Sequence, residues 1–237
     1  LTGKTSNSER KIKINALKEN NINIIFGTHA LFQKKTEFGN LGLIIIDEQH
    51  KFGVKQRMEL SKKGGDDCDI LVMSATPIPR TLIMTFYGDM DVSKLTEKPS
   101  YRKEIISLSK PEIKINEVIK FIKKEITNKN QIFWVCPLID ESKKLDYEAA
   151  VKKFEYLNKI FTGKVGLIHG SLKNEQKETV LKNFLDKKIQ ILVSTTIIEV
   201  GIDFPNANVI VIENSNKFGL SQLHQLRGRV GRSNVQA

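Results

Sequence analysis

The sequence predicts an α/β protein with two lobes, each a parallel sheet flanked by helices. Short apolar runs recur along the chain and are separated by segments with helical periodicity, the pattern of strands joined by crossover helices. This alternation stops around residues 97–102, where Pro99 and Ser100 lie among charged residues, and then restarts. A length of 237 residues suits two domains of ordinary size. We therefore predict a first lobe over residues 1–98, a second over residues 99–237 and a hinge near residues 97–102.

In the first lobe, the apolar runs predict strands at residues 22–26, 43–46 and 70–73, and the helical periodicity predicts helices near residues 10–19 and 54–62. The run Leu43-Ile44-Ile45-Ile46 has no polar alternation. Such a run is typical of a central parallel strand that is buried on both faces.

In the second lobe, strands are predicted at residues 105–108, 131–138, 164–169, 190–194 and 209–213, and helices near residues 145–161, 174–186 and 220–226. The segment 109–112, Ser-Lys-Pro-Glu, has the form of a capping box with proline near the helix start. The helix that follows has one apolar face, which we interpret as core: Ile115, Val118, Ile119, Ile122 and Ile126.

Composition narrows the class of protein. The hydrophobic fraction of 40% supports real cores, no apolar run reaches the roughly 18 residues of a membrane span, and the first residues do not form a signal peptide. Cys68 and Cys136 are far apart in the sequence and are interpreted as reduced core thiols of a cytoplasmic protein. The net charge of +11 indicates a polyanionic partner, although the lysines are scattered and no aromatic-studded basic stripe is visible.

An acidic pair follows the second predicted strand. Asp47 and Glu48 come directly after residues 43–46, at the carboxyl end of the strand, where ligands bind in open α/β sheets. In a nucleotide hydrolase, Asp47 would hold Mg²⁺, usually through water, and Glu48 would orient or deprotonate the attacking water. The alternative is a solvated turn in which the aspartate caps a helix. The segment Ser74-Ala75-Thr76-Pro77, which follows another apolar run, favours the hydrolase interpretation.

Two arginines lie near the end of the chain. Arg229 and Arg232 are three residues apart, and Gly228 and Gly231 remove side chains that would hold a phosphate away. The guanidinium group is a planar, permanently charged fork that binds phosphate oxygens in bidentate fashion. The alternative is an exposed basic helix end.

These segments together resemble superfamily 2 helicases. The residues Asp47-Glu48-Gln49-His50 resemble their Walker B motif, Ser74-Ala75-Thr76 their coupling motif, and residues 225–232 their arginine-finger motif. Residues 27–31, 51–54, 75–81, 134–142 and 194–203 are similar to the RecG branch, bacterial helicases that reverse stalled replication forks. The resemblance extends from about residue 1 to about residue 233. It implies two RecA-like lobes, hydrolysis of ATP with Mg²⁺, and branched DNA of the fork or Holliday-junction type as partner. It implies neither a membrane nor an oligomer.

The resemblance also implies a role for each candidate residue. The catalytic group would be Glu48, Gln225, Arg229 and Arg232, with ATP bound between the lobes by Asp47, Gly201 and Asp203, and with Asp47 as the metal ligand. Lobe closure would be transmitted by the coupling residues Gln49, His50, Ser74 and Thr76. DNA would contact Thr28, His29, His169, Gly170, Thr195 and Thr196, although each of these also suits an ordinary turn, cap or strand end.

One departure from the family concerns the phosphate-binding loop. The pattern Gly-x-x-x-x-Gly-Lys-Thr, whose backbone amides cradle the β- and γ-phosphates, does not occur in the 237 residues. The tripeptide Gly3-Lys4-Thr5 has its last three letters, but only two residues precede it. We therefore expect a fragment that begins inside the first lobe and that hydrolyses ATP negligibly by itself.

Two alternatives remain open at this point. The motor of a transcription-repair coupling translocase is a close sibling, but Gln49, Val200 and the segment 134–142 favour the RecG branch. The second alternative is a catalytically dead DNA-binding module, since the phosphate-binding loop is absent.

Overall fold

The computed structural model describes residues 1–237 except 4, 49–51, 66, 76–90, 98, 101, 138–142, 196–203 and 233–236. The chain divides into two compact units, Leu1–Phe86 and Tyr87–Ala237, which we call unit 1 and unit 2. The lobe boundary predicted at residues 98/99 stays a prediction. Parallel sheets with flanking helices confirm the predicted α/β class.

Unit 1 contains α1 (Asn7–Lys18), a 3₁₀ turn (His29–Phe32), β1 (Leu43–Ile46), α2 (Val54–Gly64) and β2 (Asp69–Val72). The Ser6 hydroxyl caps α1 by accepting the Glu9 amide at 3.3 Å. Strands β1 and β2 pair in parallel, with Ile46 opposite Val72. One face of this pair forms a small core of Phe32, Ile44, Ile46 and Leu60.

The other face of β1 corrects the prediction of a strand buried on both sides. Leu43 and Ile45 are 54% and 56% exposed, whereas Ile44 and Ile46 are buried. An apolar run indicates that both faces of a strand are suited to burial, but a face is buried only where another helix or strand packs against it. In the described part of unit 1, the core covers one side only.

The prediction of a strand at residues 22–26 is wrong for this structure. Ile24 and Phe26 are largely exposed, and the segment has no strand conformation. The amino group of Leu1 donates to the Phe26 carbonyl, and the Thr28 amide donates to the Leu1 carbonyl at 3.0 Å. A strand requires a ladder with another strand, and neither β1 nor β2 pairs with this segment.

Unit 2 contains a 3₁₀ turn (Glu112–Lys114), α3 (Ile115–Thr127), β3 (Gln131–Val135), α4 (Lys143–Ile160), β4 (Val165–Ile168), α5 (Asn174–Leu185), β5 (Ile191–Ser194), β6 (Ala207–Ile212), a 3₁₀ turn (Ser215–Lys217) and α6 (Leu220–Arg227). Among the described residues of unit 2, four strands form a parallel sheet in the order β4-β5-β3-β6.

The sheet of unit 2 is covered on both faces. Ile132 and Trp134 of β3 pack into one core with α3 and α4, whereas Phe133 packs into a second core with α5 and Phe204. All five residues of β3 are buried, which explains why this strand has an unbroken apolar run after Gln131. The predicted apolar face of α3 is confirmed: Ile119, Ile122 and Ile126 are buried, and Ile115 and Val118 pack against them.

Two expectations about the start of unit 2 are wrong. Residues 105–108 do not form a strand: the Ile106 amide donates to the Ala237 carbonyl at 2.9 Å, and Leu108 is 80% exposed. Ser109 does not cap the helix, because a 3₁₀ turn that begins after Pro111 comes between them. Proline sets φ for that first turn, which leads directly into α3.

Candidate functional site

The acidic pair lies where the sequence predicts it, directly after β1. Glu48 has a left-handed backbone (φ 51°), and its amide donates to Oδ1 of Asp47 at 2.8 Å. This hydrogen bond fixes the Asp47 carboxylate at the carboxyl end of the strand. A carboxylate accepts more than one hydrogen bond, so Asp47 retains acceptor capacity for a further ligand.

Ser74, which is predicted to be a coupling residue, lies at the same edge of the sheet as the acidic pair. The Met73 amide donates to the Ile46 carbonyl at 2.8 Å, which continues the β1–β2 ladder beyond β2. Because the strands are parallel, Asp47 and Ser74 leave the sheet side by side. Gln49, His50 and Thr76 lie outside the described residues.

The predicted DNA contacts Thr28 and His29 lie on an exposed turn. Thr28 directly precedes the 3₁₀ turn, and the centres of the His29 and Phe52 rings are 4.8 Å apart. The rings of Phe52 and Phe32 are 4.9 Å apart. The turn therefore packs against Phe52, which lies four residues beyond Glu48 in the chain.

In unit 2, the predicted DNA contacts follow two neighbouring strands. His169 comes after β4 and Thr195 after β5, and the preceding residues Ile168 and Ser194 are paired. Burial, reinforced by the charge of Lys177, lowers the pKa of His169, so the imidazole is neutral near pH 7. The Lys177 ammonium donates to the Gly170 carbonyl at 3.1 Å. Thr195 is buried, and Thr196, Gly201 and Asp203 lie outside the described residues.

The arginine motif begins on α6 and continues into a turn. Leu226 and Val230 are buried and hold the segment to unit 2, and the Arg232 Nε donates to the Gly228 carbonyl at 3.0 Å. Gly231 has φ 67°, which produces the turn between Arg229 and Arg232. Gln225 lies half-buried on α6, one turn before Arg229. The catalytic roles of these three residues stay predictions.

A polar cluster at the ends of β3 and β6 was not predicted. The Lys153 ammonium lies 2.6 Å from Oε1 of Glu213 and 5.5 Å from the centre of the Trp134 ring. Burial and the Glu213 carboxylate raise the pKa of the Cys136 thiol to about 12. Only the apolar run before Cys136 was visible in the sequence, because one partner comes from α4 and the other directly follows β6, 17 and 77 residues away.

The oxygen donors at the end of β1 match the ligand preference of Mg²⁺. Magnesium is usually held by one or two carboxylates, with waters and substrate phosphates completing the octahedron. Asp47 offers hard oxygen atoms at the end of the strand, and its Oδ1 is already oriented by an amide. The described residues include no cluster of three or more metal-ligating side chains, and a protein-only cage is not what this ion requires. Asp47 therefore fits a phosphate-bound Mg²⁺.

Comparison with known proteins identifies the family. The model for the helicase conserved C-terminal domain matches residues 113–234, and the model for DEAD/DEAH box helicases matches residues 1–85. The chain belongs to the helicase family. Among the described residues of this helicase, no helix combines the length and apolar character needed to cross a membrane.

Three relatives that match this helicase chain are each named ATP-dependent DNA helicase RecG. The Thermotoga maritima protein is 52% identical over all of this chain and 30% of its own length. The Aquifex aeolicus protein is 50% identical over all of this chain and 30% of its own length. The Bacillus subtilis protein is 47% identical over all of this chain and 35% of its own length. The helicase chain thus spans about a third of these relatives, and the predicted RecG resemblance is confirmed.

Solved structures support the fold of this chain. The Mycobacterium smegmatis helicase Lhr, bound to single-stranded DNA and AMP-PNP, has a TM-score of 0.65 at 15% identity and covers 100% of this chain and 33% of its own. The helicase MrfA, bound to DNA and AMPPNP, has a TM-score of 0.66 at 18% identity, with 98% of this chain and 35% of its own covered. The predicted RecA-like architecture is therefore confirmed.

Proposed function

We propose that the chain is the motor part of an ATP-dependent DNA helicase that remodels branched DNA and stalled replication forks. The observation that carries this proposal is identity of 43–52% to RecG proteins across 98–100% of the chain. The site supports the proposal, because Asp47, Glu48 and Ser74 lie together at the carboxyl edge of the β1–β2 sheet. Neither the transcription-repair translocase nor a catalytically dead module is favoured by these relatives. A cytoplasmic location is proposed as well, because the relatives named RecG come from bacteria, whose chromosomal DNA lies in the cytoplasm.

The nucleotide side of the mechanism follows from the acidic turn. Bound Mg²⁺ would neutralise charge on the phosphate oxygens of ATP. The Asp47 carboxylate, oriented by the Glu48 amide, would hold the ion through its remaining acceptor sites. The Glu48 carboxylate would orient the attacking water and accept its proton.

We assign the stabilisation of the transition-state charge to the arginines of unit 2. Arg229 and Arg232 would stabilise charge that develops on the γ-phosphate, which is where a preorganised guanidinium has most effect. The Arg232 Nε is held by the Gly228 carbonyl, so the side chain is oriented before any nucleotide arrives. Gln225 would act with them, and Gly201 and Asp203 would contact the nucleotide.

The proposed DNA-binding residues would contact the phosphate backbone of the DNA and would not read the bases. Thr28 and His29 of unit 1, and His169, Gly170, Thr195 and Thr196 of unit 2, would contact strand phosphates through hydroxyls, ring nitrogens and amides. Because the pKa of His169 is lowered, this residue would act as a neutral hydrogen-bonding group and not as a cation. Gln49, His50, Ser74 and Thr76 would couple these contacts to hydrolysis.

The decisive experiment is Arg232→Ala in the full-length protein, with Arg227→Ala as the matched control. Arg227 is an exposed arginine at the end of α6, outside the proposed pair. Loss of an arginine finger lowers turnover by about 10³ to 10⁵ and leaves ATP affinity nearly unchanged. A phosphate contact to DNA would instead reduce the salt slope of DNA binding by roughly 0.9 and spare kcat.

Turnover at saturating fork DNA and the salt dependence of DNA binding should be measured for both variants. A reduced slope with unchanged kcat in Arg232→Ala would move the arginine to the DNA-binding surface. Absence of DNA-stimulated turnover in the unmodified full-length protein would contradict the proposed function itself. The 237-residue chain alone should show negligible turnover, since its sequence lacks the phosphate-binding loop.

A further inference from the structure

Lys63, in the last turn of α2, makes an unusual set of contacts. Its ammonium donates to three backbone carbonyls, those of Leu31 (3.3 Å), Thr36 (2.8 Å) and Gln33. A lysine ammonium has three N–H donors, so these bonds match its full donor capacity. Lys63 is half-buried, and burial lowers its pKa.

The three carbonyls belong to a segment that would otherwise be an irregular loop. Residues 31–36 follow the Thr28–His29 turn directly, and only the 3₁₀ turn gives them regular structure. Thr36 is buried, and its hydroxyl donates to the Ala30 carbonyl at 3.1 Å. Charge-assisted hydrogen bonds are about twice as strong as neutral ones, so the ammonium attaches three carbonyls of this loop firmly to α2.

The same helix connects the loop to the acidic turn. α2 begins at Val54, and Phe52, just before it, packs on the His29 and Phe32 rings. The loop of residues 28–36 is therefore attached near the start of α2 by aromatic contacts and at its end by Lys63.

We propose that Lys63 is a positioning residue that holds the Thr28–His29 turn in the geometry for contacting the DNA backbone. This inference rests on the proposed function, since it takes DNA to be the ligand of that turn. Lys63 itself does not touch DNA, because its donors are occupied by the loop carbonyls. Its loss should weaken the response to DNA more than it slows hydrolysis.

The test uses three variants of the full-length protein: Lys63→Met, Lys63→Arg and the control Lys62→Met. Lys62 is the adjacent, exposed lysine of the same helix, so its variant makes the same charge change away from the loop. The measurements are ATP turnover as a function of fork DNA concentration, and DNA affinity without nucleotide by fluorescence anisotropy of a labelled fork.

A displaced turn would lose hydrogen bonds to the DNA backbone, and that loss should weaken DNA affinity by about tenfold. We therefore expect Lys63→Met to raise the DNA concentration for half-maximal turnover, and the dissociation constant, by about that factor, with kcat changed less than about twofold. Lys63→Arg retains the charge and the donors and should recover most of the affinity. Lys62→Met should behave like the unmodified protein.

Equal DNA responses of Lys63→Met and Lys62→Met would overturn the proposal. The proposal would also fail if Lys63→Met lost kcat and DNA affinity together and Lys63→Arg did not restore them. That result would mean that Lys63 only stabilises the fold. If the unmodified protein binds DNA without hydrolysing ATP, the proposed function fails, and the anisotropy comparison still decides the role of Lys63. If it does not bind DNA, both fail.

Discussion

Glu48 offers a sharp test of how the acidic turn is built, because its backbone is left-handed. At φ 51° it is one of five non-glycine residues with positive φ among the described residues. Three of the others, Asn20, Lys129 and Lys187, lie just beyond the ends of α1, α3 and α5, where this conformation is common. Glu48 follows a strand, so helix termination does not account for it.

The backbone geometry sets the magnitude of the expected effect. A left-handed conformation costs an L-residue about 1 to 2 kcal/mol, and glycine avoids this cost. Glycine also loses about 0.5 to 1 kcal/mol through its greater freedom in the unfolded chain. Glu48→Gly should therefore leave stability unchanged or raise it by up to about 1.5 kcal/mol. Glu48→Gln retains the strain and should stay within about 0.5 kcal/mol.

Catalysis should respond in the opposite direction. Either variant removes the carboxylate that would act on the attacking water, and loss of a general base lowers turnover by about 10² to 10⁴. ATP affinity should change little, because Asp47 and its hydrogen-bonded amide are retained in Glu48→Gln. Denaturant unfolding of the chain measures stability, and turnover with nucleotide titration of the full-length protein measures the rest.

The reasoning would be refuted by a Glu48→Gly variant that is destabilised by more than about 1 kcal/mol, a loss that strain relief would oppose. Such a result would mean that the Glu48 side chain holds the turn together. Normal turnover in Glu48→Gln would remove the proposed role in activating water. Loss of nucleotide binding in a folded Glu48→Gln variant would also make the residue structural.

Three further outcomes test unit 2. Because the pKa of the Cys136 thiol is raised to about 12, the native chain should resist iodoacetamide at pH 9 and react after denaturation, as mass spectrometry would show. Stability from that neutral thiol is present below its ordinary pKa of 9.0 and is lost as the pH rises toward 12. Burial and Lys177 lower the pKa of His169, so stability should fall as the pH drops below 6.5, and His169→Gln should flatten this fall in denaturant midpoints. Gly231→Ala should cost up to about 1.5 kcal/mol in the same assay from the left-handed backbone at φ 67°, once the lower entropy of the unfolded chain is subtracted, and the 3.1 Å approach of its Cβ to Ile105 adds to this cost.

Periodicity predicted well wherever an element is covered by its own unit. The spacing of Ile119, Ile122 and Ile126 identified the buried face of α3, and the apolar run of β3 identified a strand covered on both faces. It failed at residues 22–26 and 105–108, where apolar residues are exposed. An apolar run indicates that burial would be favourable, but it does not supply a hydrogen-bonding partner.

The candidate site was only partly accessible from the sequence. Asp47 and Ser74 follow apolar strands, so their shared sheet edge is a consequence of parallel pairing that the sequence could predict. The contacts of Lys63 join residues 27 to 32 positions apart through backbone carbonyls. Every residue has a carbonyl, so no residue type marks the acceptors. A lysine in the last turn of a helix is equally consistent with a solvated charge next to the helix dipole.

The two turns that carry the proposed catalytic groups both contain left-handed backbone, and the chain fills them differently. At position 231 a side chain would also approach Ile105, and the proposed chemistry belongs to the neighbouring arginines. Glycine therefore both permits the left-handed backbone and avoids that contact. At position 48 the side chain itself is proposed to act on water, and glycine would relieve the strain but remove the group. Backbone strain at position 48 but not at position 231 is expected if the Glu48 side chain is retained for function. The stability of Glu48→Gly and the turnover of Glu48→Gln therefore both test whether Glu48 is retained for catalysis despite its strained backbone.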